Sequence, residues 1–270
     1  MSEEQEHSEI ADKRASRLPK SWRVYLFEFV LLTMAVFLGF LVDNFREELA
    51  EKQQAEELAQ SYYGELLADS ISLQQTLEAR YRKDTALYHL KNYVLDSSLE
   101  KASMSYVRNY VLGVQTTDRF QPTDVILEQL KNSGSLRYFK SKKLQQLTGN
   151  LSTTISVIRQ RNTLEIEFAL IFLIPFVIAS NDQEFFGRVP QNKSLPFREL
   201  SNREIIELID SDSINISYHI NNPTNFKRKD VYNMLWQYRN ILAGTTYAYT
   251  NYTRLNKELL EALRKEYDIK

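Results

Sequence analysis

The chain has 270 residues, of which 43% are apolar and 26% charged, and its net charge is −1. That balance fits a folded chain with a sizeable core and excludes both a disordered polymer and a broadly basic nucleic-acid binder. There is no cysteine, so disulfides, thiolate catalysis, zinc–thiolate sites and iron–sulfur clusters are excluded together, while the redox compartment stays open.

With only 7 Gly and 6 Pro, the chain is poor in turn formers and rich in Leu, Glu, Lys and Gln, which predicts long helices. Residues 1–20, with Glu3, Glu4, Glu6, Glu9 and Asp12, read as a disordered cytoplasmic tail. Residues 21–43 read as a transmembrane helix. Within them, residues 24–42 hold one charge, Glu28. As a helix they extend roughly 28 Å, close to the roughly 30 Å of bilayer hydrocarbon. The run closes on Phe40, Leu41, Val42 and Asp43, which is a poor cleavage site, so an uncleaved anchor is expected rather than a signal peptide.

The flanks set an orientation. Lys13, Arg14, Arg17, Lys20 and Arg23 precede the span, and Asp43, Glu47, Glu48, Glu51, Glu56 and Glu57 follow it. The positive-inside rule then places the N-terminus in the cytoplasm and the bulk of the chain outside it. Trp22 and Tyr25 stand where an interfacial aromatic belt belongs. Glu28 lies about one turn inside the span. Two readings stay open: a functional intramembrane carboxylate, or a side chain reaching the headgroups or a basic neighbour such as Arg23. Glu28, Ala35 and Gly39 share one helix face, and Ala35-x-x-x-Gly39 is a small-xxx-small pattern. This is the expected membrane-helix interaction face.

Beyond the span, Phe45, Leu49, Leu58, Tyr62, Leu66, Leu73, Leu77, Tyr81, Leu87, Leu90 and Val94 recur at helical intervals. They predict one helix running on to Asp96, with a kink near Gly64. Its polar first turns read as a solvated stalk or an oligomeric coil. Residues 103–112 predict a short helix. Pro122 suits the first turn of the next, with Val125, Ile126, Leu127 and Leu130 as its apolar face. Ser133 and Gly134 form the turn that closes it, and Ser141 caps the following helix. This helical hairpin lacks a basic recognition helix, so no nucleic-acid partner is expected.

Residues 168–179 are the second apolar run. At roughly 18 Å as a helix they are too short to cross a bilayer unaided. A buried core helix kinked at Pro175 is expected, with a second span or an interfacial segment as the other reading. Residues 181–200 read as a loop. Ser201 to Glu204 form a capping box, residues 221–224 are another break, and a long amphipathic helix runs from about Lys229 to the end. The predicted fold is all-α: an N-terminal transmembrane helix continuing into a long-helix bundle with a short helical hairpin, residues 44–270 forming one periplasmic domain.

Two stretches, FEFVLLTMAVFLGFLVDNFREE and LEQLKNSGSLRYFKSKKLQQL, resemble an uncharacterised family of single-pass, mostly helical envelope proteins of Gram-negative bacteria. In the anchor Glu28, Asn44, Phe45, Glu47 and Glu48 match the family pattern; in the hairpin Leu130, Ser133, Gly134, Leu136, Lys142 and Leu144 do. Phe27 stands where a glycine is usual and Phe45 where a tryptophan is. The resemblance covers about a third of the chain. It implies an anchored periplasmic domain of the inner membrane and supplies no activity.

Chemistry-bearing motifs are sparse. His7, His89 and His219 have no histidine at ligand spacing. No GxSxG, HExxH, P-loop or GxGxxG occurs. Asp210-Ser211-Asp212 is the nearest approach to a carboxylate pair and reads as a turn cluster. No catalytic residue, metal ligand or cofactor is expected. The expected role is a non-enzymatic interaction or scaffold protein whose partners are the lipid bilayer and a second copy or another membrane protein. A sensory or ligand-binding helical domain, and a subunit of a proton-linked transport or motor complex using Glu28, are the alternatives.

Overall fold

The computed structural model describes residues 22–97, 102–139, 141–189, 202–214, 216–221 and 227–269, without the side chains of Arg23 and Gln183. The tail of residues 1–20, the capping residue Ser201 and the break at residues 222–224 lie outside these. Among the described residues every regular element is helical, and the one β contact is an isolated antiparallel bridge between Ala102 and Tyr218. The all-α expectation holds.

The first helix, α1, is Trp22–Asp96, 75 residues, and stays α-helical through Gly64. By contacts the chain divides into two compact units, Met1–Ala55 and Glu56–Lys270. In the first unit, α1 is long and apolar enough to cross a membrane, and none of the side chains of residues 24–42 is buried. Exposed apolar surface of that extent is unfavourable in water and marks a site for burial.

The second unit is a bundle. α2 is Met104–Tyr110, capped by Ser103 and continued by a π-turn, Val111–Gln115. α3 is Val125–Asn132, followed by a 3-10 turn, Ser135–Tyr138. α4 is Lys142–Ser180, with a π-turn at Ala169–Leu173 just before Pro175. Two short helices follow, α5 Gln183–Arg188 and α6 Asn202–Asp210, then α7, Arg228–Tyr267, 40 residues. The loop expected over residues 181–200 therefore contains α5. Asp182 is the reason: its Oδ1 accepts the Phe185 amide at 2.9 Å, supplying the N-cap.

α7 runs antiparallel to α1, pinned from Arg228 to the Ser97 carbonyl (2.7 Å) to Asn256 on the Leu66 carbonyl (2.9 Å). Two apolar cores result. The first gathers Tyr62, Leu66 and Leu73 of α1 with Leu130, Ile158, Tyr252 and Leu259. The second gathers Leu87, Leu90 and Val94 with Tyr106, Tyr110, Tyr218 and Leu235.

The second apolar run corrects its sequence reading. It is not a separate core helix but the end of α4, and it is two-faced. Leu173 is buried and Phe168, Phe176 and Val177 are half-buried against the second core, whereas Leu170, Ile171, Ile174 and Ile178 are exposed. Pro175 lacks the N–H that α-helical pairing needs, and the π-turn before it absorbs the misfit and lets the helix continue.

Candidate functional site

Between the two cores lies a layer of buried charge. On α1 the apolar positions Leu73 and Leu77 give way to Arg80 and Lys83 before Leu87 resumes. On α4, Asn162 and Glu165 stand between Ile158 and Leu173, and on α7, Thr245 and Thr246 stand between Leu242 and Tyr249. Arg80 is 1% exposed and Glu165 4%. Isolated charges at such depth are very costly, so each needs partners.

Arg80 has all of them. Nε donates to Thr246 Oγ1 at 3.0 Å, Nη1 to the Asp118 carbonyl at 2.7 Å and to Glu165 Oε2 at 3.3 Å. Nη2 donates to Glu165 Oε1 and to the Leu242 carbonyl. All five guanidinium N–H groups are used. The same group lies 4.8 Å from the Tyr249 ring centroid. Lys83 donates its Nζ to the Thr116 carbonyl, and burial pushes its pKa down to about 8.

These donors converge on one segment. Residues 116–124 carry no helix or strand, as Thr116, Thr117 and a residue before Pro122 would dictate. Five of their backbone groups pair with side chains of α1, α4 and α7 instead. The Phe120 amide donates to Tyr249 Oη at 3.0 Å, and its carbonyl accepts from Asn162 Nδ2 at 2.8 Å. Tyr249 Oη in turn donates to Asn162 Oδ1 at 2.6 Å. The Thr123 amide donates to Asp69 at 3.0 Å, which also accepts from Tyr252 Oη at 2.6 Å. The Ile126 amide donates to Glu65 at 3.0 Å.

Burial pushes the Asp69 and Glu65 carboxyls up, and the hydrogen bonds they accept pull them partly back. α3 thus begins at Val125 rather than at Pro122. Its neighbour Asp124 pairs with Arg159 at 2.6 Å, leaving Glu65 of α1 to satisfy the first turn. The layer is a strap and its fastenings. Glu65 Oε1 is buried without a hydrogen-bond partner, but Arg80 keeps no free donor for a substrate.

The residues singled out from sequence fall elsewhere. Glu28, Ala35 and Gly39 are all exposed on α1, and a methyl group placed on Gly39 meets nothing within 4 Å. That leaves room for a second helix at van der Waals distance. Gly134 adopts φ 70°, the left-handed conformation the turn requires, and Ser133 Oγ donates to the Gln129 carbonyl at 2.5 Å. Asp210 pairs with Arg108 at 2.6 Å, and Asp212 turns the chain with φ 53°. No group of three or more His, Asp or Glu is arranged to hold a metal among the described residues.

The buried charges escape the sequence pattern for a definite reason. A three- and four-residue stripe from Leu77 passes equally well through Arg80 or Tyr81, and hydrophobicity selects Tyr81. The structure does the reverse: Tyr81 is 61% exposed and Arg80 is inside. One signal does mark the layer. α1, α4 and α7 each interrupt their apolar stripe by one turn, and those interruptions meet.

Comparison with protein families, curated proteins and solved structures returned no match.

Proposed function

We propose that the protein is a membrane-anchored, non-enzymatic interaction or scaffold protein of a bacterial envelope. Residues 24–42 are its span, the N-terminus is cytoplasmic, and the bundle is periplasmic. The observation that carries this reading is the wholly exposed apolar stretch of α1, flanked by basic residues before and acidic residues after. The likeness of the anchor and hairpin to the envelope family supports the same placement.

A non-enzymatic role is supported by the fully engaged Arg80 guanidinium and by the outward aliphatic face of α4. Leu170, Ile171, Ile174 and Ile178 there are 45–71% exposed. A patch of that kind on a folded domain marks an interaction surface. The inner face of the same segment is committed to the core, which favours one crossing of the membrane over two.

The test exploits the absence of cysteine. Single cysteines replace Ser8, Ser97 and Ser211, and permeabilised cells with an intact inner membrane are treated with an impermeant maleimide. Labelling at Ser97→Cys and Ser211→Cys but not at Ser8→Cys is expected. Labelling at Ser8→Cys, or protection of Ser211→Cys that persists only while the membrane is intact, would overturn the assignment.

A further inference from the structure

Beyond Ala55, α1 exposes five large apolar side chains: Leu67, Ile71, Tyr81, Tyr88 and Leu95. They are not scattered. Leu67, Tyr81, Tyr88 and Leu95 are separated by 14, 7 and 7 positions, and Ile71 follows Leu67 by four. A seven-residue spacing keeps side chains in line along the contact between two helices that wrap left-handed around each other. None of the five belongs to either core. Within the bundle, Lys91 and Arg239 lie over the Tyr88 ring, 4.8 and 5.2 Å from its centroid, and neither core takes up the seam.

α7 extends the seam sideways. Trp236 and Tyr247 are 46% and 79% exposed. A cleft of about 370 Å³ is lined by Tyr81, Trp236 and Ala243, and a second of about 480 Å³ by Leu77, Tyr81 and Leu260. Tyr81 joins the two.

We propose that this seam is a homotypic interface, covered by α1 and α7 of a second copy of this chain. The inference rests on the anchored reading above and names its partner. Three observations select a second copy. First, Glu78 on α1 and Lys257 on α7 both line the larger cleft, and neither is in an ion pair among the described residues. A two-fold contact offers each the opposite charge of the other copy, which makes the surface complementary to itself.

Second, the seven exposed side chains, 40–79% accessible, together offer on the order of 700 Å², near the roughly 800 Å² per partner of a stable interface. They are rich in Tyr and Trp, as such interfaces are. Third, α1 is the element that carries the span. Copies anchored in one membrane are confined to it, which raises their effective concentration for one another.

The experiment uses the full chain in native membranes. Single cysteines are placed on the seam (Leu67→Cys, Tyr81→Cys, Tyr88→Cys), on the α4 face (Ile171→Cys, Ile178→Cys) and in the span (Ala35→Cys). Oxidative crosslinking is read by gel and mass. Expected are dimers of this chain at the seam and none at the α4 face. In the Tyr81→Cys background, Glu78→Lys should lower the dimer yield about fivefold, the worth of roughly 1 kcal/mol, and adding Lys257→Glu should restore it.

Absence of seam dimers, dimers only at the α4 face, or seam adducts with an unlike protein would each overturn the interface, whatever Ala35→Cys gives. Failure of the anchored reading is separately visible, because alkaline extraction would then release the chain from the membrane.

Discussion

Arg80 of α1 and Glu165 of α4 form an ion pair that is 1% and 4% exposed, and the same guanidinium holds the carbonyls of Asp118 and Leu242. One side chain therefore ties the strap to α1, α4 and α7. Removing one charge from a buried pair strands the other, at a cost of about 3–5 kcal/mol, whereas replacing both by apolar groups of similar size costs far less. Arg80→Ala and Glu165→Ala should each lower stability by that amount. Arg80→Met with Glu165→Leu should lose much less than their sum, the remaining loss coming from the stranded carbonyls of Asp118 and Leu242. Chemical denaturation of the detergent-solubilised protein checks this. Additive losses would show that the pair is not coupled.

Lys83 gives the layer a pH dependence with a definite sign. Its folded pKa is pushed down to about 8 by burial, against roughly 10.4 for lysine in an unfolded chain. Between those values the unfolded state binds more protons, so this site's contribution to stability rises as pH climbs through the window. Below about 8 both states are charged, and the folded state bears the whole cost of the buried ammonium. The unfolding midpoint should thus gain on going from pH ~8 to pH ~10 relative to Lys83→Met, which has no such group. Parallel profiles for the two proteins would remove Lys83 as the cause.

The strap should loosen in two separable places. Tyr249→Phe deletes the hydroxyl that accepts from the Phe120 amide and donates to Asn162. Leaving a buried amide unpaired costs about 1–3 kcal/mol. Asp69→Ala strands the Thr123 amide and the Tyr252 hydroxyl in the same way. Amide exchange at Phe120 should accelerate in the first variant and at Thr123 in the second, with the core amides of α7 changing less. Uniform acceleration across the chain would mean that the strap is not a local unit.

Legibility in the sequence follows physical character. The stripe Leu235, Tyr238, Leu242, Tyr249, Tyr252, Leu259 and Leu263 is buried as its spacing demands, because a long helix repeats its pattern often enough to fix its inward face. Gly134 is readable because only glycine enters the left-handed region without strain. The charge layer is not readable. Its members are far apart in sequence, 85 positions for Arg80 and Glu165, and each alone resembles an ordinary surface charge. The end of α4 is half readable: composition marks it as apolar, but nothing local says that one face is packed and the other open.

Two glycines should respond with opposite sign to the same substitution. Gly134 has φ 70°, and a Cβ there would meet nothing within 4 Å. The penalty for alanine at that position is backbone strain alone, about 1 kcal/mol or somewhat more. Gly64 lies exposed within α1, also with nothing within 4 Å, and its backbone is already helical. Alanine there removes unfolded-chain freedom and should stabilise by about 0.5–1 kcal/mol. Gly134→Ala should therefore lower the unfolding midpoint and Gly64→Ala raise it. A destabilised Gly64→Ala would show that the small residue serves a close contact made outside the single chain, on the helix that carries the seam.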